Sequence, residues 1–284
     1  MSATTTETTA PAVDEEEQPA PPDRSTGSLL WAAMGSEWTK LRSVRSTVYS
    51  LFATIAITVG FGALLSWAFV SRYDHLDVQE RLTFDATSHT MSGLRLSQLA
   101  IGVLGVLIIS AEYTTGLIRP TFTATPQRRI VLAAKTIVFG AVALIVAIVS
   151  CFPAFFISQA ILSTKHLDVT LTDPHVLRAV CGATAYLVFV GLLGLGLGTI
   201  VRRTAGAISA LVGLVLIFPL LALALPSPWN HDVAKILPAQ AGQALVSVRP
   251  DANLPSPAMG ALVCIIWLVA TYTLATVLLS RRDA

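Results

Sequence analysis

Residues 130–152, IVLAAKTIVFGAVALIVAIVSCF, decide the fold class because they form a long apolar run that contains a single charge, Lys135. A helix needs about 20 mostly apolar residues to cross a bilayer, whose hydrocarbon core is about 30 Å thick. Five other stretches meet the same requirement. The predicted spans are residues 48–70, 94–111, 130–152, 177–201, 204–225 and 257–280.

The composition of the chain agrees with this pattern. Of its 284 residues, 54% are hydrophobic and 13% are charged, and the mean hydropathy is +0.68. A soluble domain of this composition would have far more apolar surface than one core could bury. The sequence therefore predicts an all-α integral membrane protein with six transmembrane helices in residues 47–284.

The first 46 residues fall into two predicted segments. Residues 1–27 are rich in Thr, Pro and acidic side chains without apolar periodicity, which is typical of a disordered tail. Residues 28–46 predict an interfacial amphipathic helix anchored by Trp31 and Trp38, although a basic start of the first span is an alternative. Apolar positions recur there at helical spacing and charges occupy other faces: Leu30, Met34, Trp38 and Leu41 against Glu37, Lys40, Arg42 and Arg45.

Two prolines modify the simple pattern of spans. The third apolar run continues past Pro153 to Leu162, so Pro153 is expected to kink it. Residues 226–256 keep helical apolar spacing on both sides of Pro238, which predicts two short amphipathic helices resting on the outer leaflet before the last span.

The basic residues predict the orientation. Arginine pairs flank the predicted spans on one side, and the positive-inside rule places that side in the cytoplasm. We therefore expect a multi-pass protein of the cell membrane with both termini cytoplasmic. The predicted membrane-edge anchors are Arg128, Arg129, Arg202 and Arg203.

Several site types lack their motifs in this sequence. There is no glycine-rich loop ending in Gly-Lys-Ser/Thr for nucleotide binding, no metal-ligand spacing among the histidines, and no basic cluster suited to nucleic acid. Gly194 and Gly198 have instead the spacing that lets membrane helices pack closely. The cysteines Cys151, Cys181 and Cys264 are interpreted as small buried hydrophobes. We expect no enzyme activity, no metal and no cofactor in this chain.

The connection between the second and third predicted spans, residues 112–129, mixes polar and apolar residues, which predicts a short structured segment on the predicted cytoplasmic side. Three strings, SEWTKLRSVRSTVY (36–49), AEYTTGLIRPTFTATPQRR (111–129) and LPAQAGQAL (237–245), resemble those of actinobacterial permeases of the type-2 ATP-binding-cassette transporter family. The span count and order agree over residues 28 to 284.

The resemblance implies a permease subunit of an exporter. Two copies, as a homo- or heterodimer, would form the translocation path, and each would dock a separate cytoplasmic ATPase that binds ATP and Mg. In that family the loop after the second span is the coupling helix, so the resemblance assigns Glu112, Thr115 and Arg119 to ATPase coupling. A local pairing of Glu112 with a nearby arginine is the alternative.

The resemblance also places a path along spans one, two and five. The residues it assigns to that path are Thr58, Phe61, Ser97, Gln98 and Phe218. They would suit an amphipathic or lipid-like cargo, although aliphatic neighbours equally suit ordinary helix packing. The other function that the sequence allows is a non-transporting membrane scaffold or sensor with the same fold.

Overall fold

The computed structural model describes residues 25–117, 127–224, 226, 229–249 and 254–281. Within these residues every regular element is helical, and six helices are long and apolar enough to cross a membrane. The prediction of an all-α membrane protein with six spans is therefore confirmed. Residues 1–24 of the predicted tail 1–27 lie outside the described residues.

Six helices, called spans 1 to 6 here, are joined by shorter helices and turns. The spans are Arg45–Arg72, Leu94–Thr114, Arg128–Leu162, Val176–Val201, Thr204–Val212 continued by Gly213–Ile217 and Phe218–Leu223, and Pro257–Arg281. The shorter helices are Thr26–Ser43, called the N-terminal helix, then Val78–Thr83, Ala86–Thr90, Trp229–Lys235 and Pro238–Val246, with single 3-10 turns at Tyr73–His75, Met91–Gly93 and Ser163–Lys165.

Successive spans run in opposite directions, as hydrogen bonds between their ends show. Arg128 at the start of span 3 donates from Nη1 to the Leu279 carbonyl near the end of span 6, at 3.0 Å. Thr204 at the start of span 5 lies 3.0 Å from Ser110 near the end of span 2, hydroxyl to hydroxyl. We call this end of the bundle, which carries the pairs Arg128–Arg129 and Arg202–Arg203, the arginine face.

The other end of the bundle, called the opposite face, holds the connections after spans 1, 3 and 5. Lys165 Nζ lies 2.7 Å from Asp74 Oδ2 there, which joins the ends of spans 1 and 3. Arg178 Nη2 donates to the Ser247 carbonyl at 2.6 Å, which joins the start of span 4 to the end of Pro238–Val246.

Span 4 lies at the centre of the bundle and packs against span 2 through glycines. A methyl group at Gly105 would overlap the Gly191 carbonyl, and one at Gly194 would overlap the Gly102 carbonyl. Gly198 faces the Val106 backbone one turn further along. The close packing predicted from Gly194 and Gly198 is therefore present, because backbones approach where no side chain intervenes.

Span 1 is the least buried span and has small or polar residues on its inner side. Thr54, Thr58, Gly62 and Ser66 are buried there at helical spacing. Its large apolar side chains, Tyr49, Phe52, Leu64 and Trp67 among them, are exposed. This distribution suits a helix whose outer surface contacts lipid and whose inner surface packs closely.

Spans 3 and 5 depart from simple spanning helices. Span 3 has 35 residues, or about 50 Å of helix, and continues through Pro153 to Leu162, so it extends beyond a hydrocarbon core of about 30 Å. Span 5 contains the π-helical segment Gly213–Ile217 directly before Phe218 and Pro219. Pro219 cannot donate a backbone hydrogen bond, and a π-turn is one way to accommodate the resulting gap.

The two short helices predicted before the last span are present as Trp229–Lys235 and Pro238–Val246, and the second is buried between spans and not only placed on a surface. Trp267, about ten residues or 15 Å into span 6, donates from Nε1 to the Ile236 carbonyl at 2.9 Å. From there Pro238–Val246 runs between spans 4 and 6, where Gly242 lies against the Tyr186 ring and Gly260 against the Ala241 carbonyl. Its alanines and glycine are buried because two spans cover it.

Candidate functional site

Four charged side chains, three of them buried, form a cluster at the arginine face. They are Glu37 and Lys40 on the N-terminal helix, Glu112 on span 2 and Lys135 on span 3. Glu37, Glu112 and Lys135 are only 3%, 7% and 2% exposed. We call these four residues the charge cluster. Buried charges at this depth need partners, since an isolated one would cost several kcal/mol.

Each lysine of the cluster bridges both carboxylates. Lys135 Nζ lies 2.5 Å from Glu37 Oε2 and 3.0 Å from Glu112 Oε1. Lys40 Nζ lies 2.8 Å from Glu37 Oε1 and 2.9 Å from Glu112 Oε1. The cluster is therefore a closed, electrically neutral arrangement of two carboxylates and two ammonium groups that ties three helices together.

Local structure explains why these residues meet. Glu37 and Lys40 are three residues apart in one helix, so they share a side of it. Val44 adopts an extended conformation that ends this helix and lets span 1 begin at Arg45. The N-terminal helix can then lie across the start of span 3 instead of continuing into span 1.

The other two members approach from within the bundle. Glu112 lies in the last turn of span 2, which ends at Thr114. Lys135 lies two turns into span 3, where its neighbours Ala134 and Val138 are buried. A lysine near the start of a span can extend its long side chain to the membrane surface. Lys135 is instead enclosed, because the N-terminal helix covers it and supplies Glu37.

Lys40 is the most accessible member of the cluster, with a side chain 38% exposed. Its partial burial lowers its pKa, but hydrogen bonds to Glu37 and Glu112, and the charges of both carboxylates, outweigh that effect. The net result is a pKa above the ordinary 10.5, so Lys40 stays charged throughout the physiological range.

Only one of the two oxygens of the Glu112 carboxylate, Oε1, contacts the lysines of the cluster. Glu112 Oε2 is buried and has no hydrogen-bond partner among the residues that the structure describes. Glu112 is also the member nearest in sequence to the connection that follows span 2. Glu112 therefore has a buried acceptor atom two residues before the end of span 2.

The predicted coupling residues have different surroundings. Glu112 belongs to the charge cluster, and its partners in the described residues are lysines and not the arginine that the alternative interpretation expected. Thr115 ends span 2, where its hydroxyl donates to the Ala111 carbonyl at 2.7 Å. Arg119 lies outside the described residues.

The predicted membrane-edge anchors all lie at the arginine face. Arg128 bonds the end of span 6, as described above. Arg202 adopts a left-handed conformation (φ 58°) that ends span 4, and its guanidinium lies 5.3 Å from the centre of the Tyr113 ring. Arg129 and Arg203 are exposed. Two of the four arginines therefore also connect helices.

The residues assigned to a path do not share one surface. Thr58 and Ser97 are fully buried, and each hydroxyl donates to a carbonyl of its own helix or turn. Gln98 accepts from the Tyr186 hydroxyl at 2.6 Å, so it joins spans 2 and 4. Phe61 and Phe218 are instead exposed on spans 1 and 5.

Sequence reasoning missed three members of the charge cluster. The sequence places Glu37 and Lys40 on the polar side of an amphipathic helix, whereas Glu37 is among the most buried residues of that helix. The available signal was Lys135, because a charge within an apolar span calls for an opposite charge nearby. Among the cysteines, Cys151 and Cys264 are buried as expected, but Cys181 is exposed.

The sequence matches no protein-family model and no curated protein.

Proposed function

We propose that this chain is the membrane-spanning permease subunit of an ATP-binding-cassette exporter, working as a dimer with a separate cytoplasmic ATPase. The observation that carries the proposal is the charge cluster. It fixes the last turn of span 2 to the N-terminal helix and to the start of span 3, on both sides of the 115–127 connection. The resemblance of residues 36–49 and 111–129 to such permeases supports the same assignment.

The cluster supports a mechanical role for this part of the molecule. A force applied to the connection after span 2 reaches Glu112 within one helical turn. Because Glu112 is held by Lys40 and Lys135, the N-terminal helix and span 3 would move with span 2. Packed helices move as rigid bodies, so a small displacement at one end tilts whole spans.

The energy for this movement would come from the partner. The sequence holds no nucleotide-binding loop, so ATP and Mg would bind to the ATPase. The arginine face would then be cytoplasmic, with both termini on that side, in agreement with the positive-inside rule. A lipid-like or amphipathic cargo is consistent with the apolar surfaces of spans 1 and 5.

The experiment is to purify the tagged chain from its native membranes and identify any Walker-motif protein that accompanies it. ATP hydrolysis is then compared between that ATPase alone and the reconstituted complex. We expect Glu112→Gln to keep the complex assembled but to abolish most of the change in hydrolysis that the permease causes. The amide removes the charge that holds both lysines while keeping the shape of the side chain.

Asp168→Asn is the matched control, since Asp168 is an exposed carboxylate at the opposite face. It should leave hydrolysis in the complex unchanged. Absence of any copurifying ATPase would overturn the proposal. If a folded Glu112→Gln variant changed ATP hydrolysis as the wild type does, the charge cluster would have no role in coupling.

A further inference from the structure

A cavity of about 380 Å³ lies at the opposite face, between the end of span 1 and the connection that follows it. One wall is the span itself, with Leu65, Ala68 and Phe69. The connection supplies the other wall, including Leu76 and His89. This volume falls within the range of small-molecule sites in proteins.

An aromatic cluster holds the two walls together. Phe84 stacks on Phe69 with ring centres 3.9 Å apart and planes only 13° from parallel. The His89 ring lies 5.2 Å from Phe69 and 5.4 Å from Phe84, and its Nε2 donates to the Leu65 carbonyl at 3.3 Å. The cavity is therefore a formed feature of the fold, since stacked rings and a hydrogen bond fix the connection against the span.

Two arginines near the cavity have different surroundings. Arg81 bonds the connection itself, because Nε donates to the Leu76 carbonyl and Nη2 to the Asp74 carbonyl, and its guanidinium lies 4.9 Å from the centre of the Tyr73 ring. Arg72 ends span 1 on the rim of the cavity. Within the part of the chain that the structure describes, the Arg72 side chain has no ion pair or hydrogen bond.

The position of the cavity selects the type of ligand. Leu64 and Trp67, next to its wall on span 1, are exposed on the surface that suits lipid. The cavity lies where span 1 ends, with apolar side chains along the span and with Arg72 and Glu80 as its charged lining residues. Glu80, on the side of the connection, is already engaged with another group of the protein.

We propose that this cavity binds one glycerophospholipid, with the phosphate at the Arg72 guanidinium and an acyl chain along Leu65, Ala68 and Phe69. A guanidinium group can bind a phosphate through two parallel hydrogen bonds. The apolar wall distinguishes a lipid from a free anion, because inorganic phosphate would gain nothing from it. This site does not depend on any transport activity.

The test measures lipid that stays bound to the purified protein by native mass spectrometry after delipidation, with dioleoyl phosphatidylglycerol added back as the probe. The wild type should retain one such lipid. Arg72→Gln should weaken retention by about tenfold or more, because a charge-assisted contact is lost. Ala68→Phe should weaken it similarly by filling the cavity without changing any charge.

Arg95→Gln is the matched control, since Arg95 is an exposed arginine at the opposite face, at the start of span 2, and does not line this cavity. It should keep the wild-type retention. Equal losses in Arg72→Gln and Arg95→Gln would mean that only surrounding lipid was measured and would overturn the proposal. Competition by inorganic phosphate, or equal binding of dioleoylglycerol, would also overturn it.

Discussion

At the scale of single residues, Lys135 is the most deeply buried charged side chain among the described residues. It is 2% exposed, and its ammonium group contacts carboxylates from two other helices. A buried charge network stabilises a fold only while it is complete, since the cost of burying each ion is offset by its partners. Removing one member is therefore more damaging than replacing the whole cluster.

Lys135→Met should lower the free energy of unfolding by about 3–5 kcal/mol, because Glu37 and Glu112 would then share one remaining lysine. Equilibrium unfolding in detergent micelles measures this loss. Combining Lys135→Met with Glu112→Gln should recover part of it, since the remaining Glu37 and Lys40 balance each other.

Lys165→Met is the control for that measurement. Lys165 pairs with Asp74 in an exposed ion pair at the opposite face, and such pairs contribute about 0–1 kcal/mol. A loss for Lys135→Met no larger than that of Lys165→Met would show that the charge cluster does not stabilise the fold.

Lys40 should make stability depend on pH at the alkaline end. Its pKa in the folded protein lies above the ordinary 10.5, so the folded state holds the proton more strongly than the unfolded state. This contribution is complete below 10.5 and is lost as pH rises through the folded pKa. Thermal unfolding of wild type and Lys40→Gln across that range should converge at high pH, and parallel curves would contradict the assignment.

At the scale of elements, glycines set the distance between spans 2 and 4. Gly102 and Gly105 on span 2 meet Gly191 and Gly194 on span 4 backbone to backbone. Such contacts add carbonyl interactions and dispersion that larger residues would prevent. The position of Glu112 at the end of span 2 depends on this packing.

Gly105→Ala should destabilise the protein by about 1–3 kcal/mol, because the new methyl group overlaps the Gly191 carbonyl and forces the helices apart. Unfolding in detergent measures the effect. Gly60→Ala is the control, since no atom lies within 4 Å of that methyl position on span 1. It should be neutral or stabilise by up to about 1 kcal/mol through helix propensity. Equal effects of the two substitutions would contradict close packing of spans 2 and 4.

At the scale of the whole molecule, the two ends of the bundle differ in charge. The arginine face carries the arginine pairs and the charge cluster, whereas the opposite face carries longer connections with mixed charges. The proposed function requires the arginine face to be cytoplasmic, because an ATPase has to reach the connection after span 2.

Cysteine labelling of intact cells tests this orientation in a background where Cys151, Cys181 and Cys264 are replaced by alanine. We expect a membrane-impermeant maleimide to label Asp168→Cys in intact cells, since Asp168 is exposed at the opposite face. Arg203→Cys, exposed at the arginine face, should be labelled only after permeabilisation. The reverse pattern would remove the basis for a cytoplasmic ATPase partner.

The sequence by itself determined the fold class and the number of spans. Long apolar runs allow only a membrane environment, and a helix satisfies its own backbone within each run. For the same reason the packing of Gly194 and Gly198 was predictable, because glycine spacing is a local property of one helix.

Only the tertiary structure decided which charges meet. Glu37, Glu112 and Lys135 are distant in sequence, and neither spacing nor composition indicates that the N-terminal helix turns at Val44 to cover span 3. The burial of Pro238–Val246 between spans 4 and 6 has the same origin. Partners that come from different helices are set by packing, and packing depends on the whole chain at once.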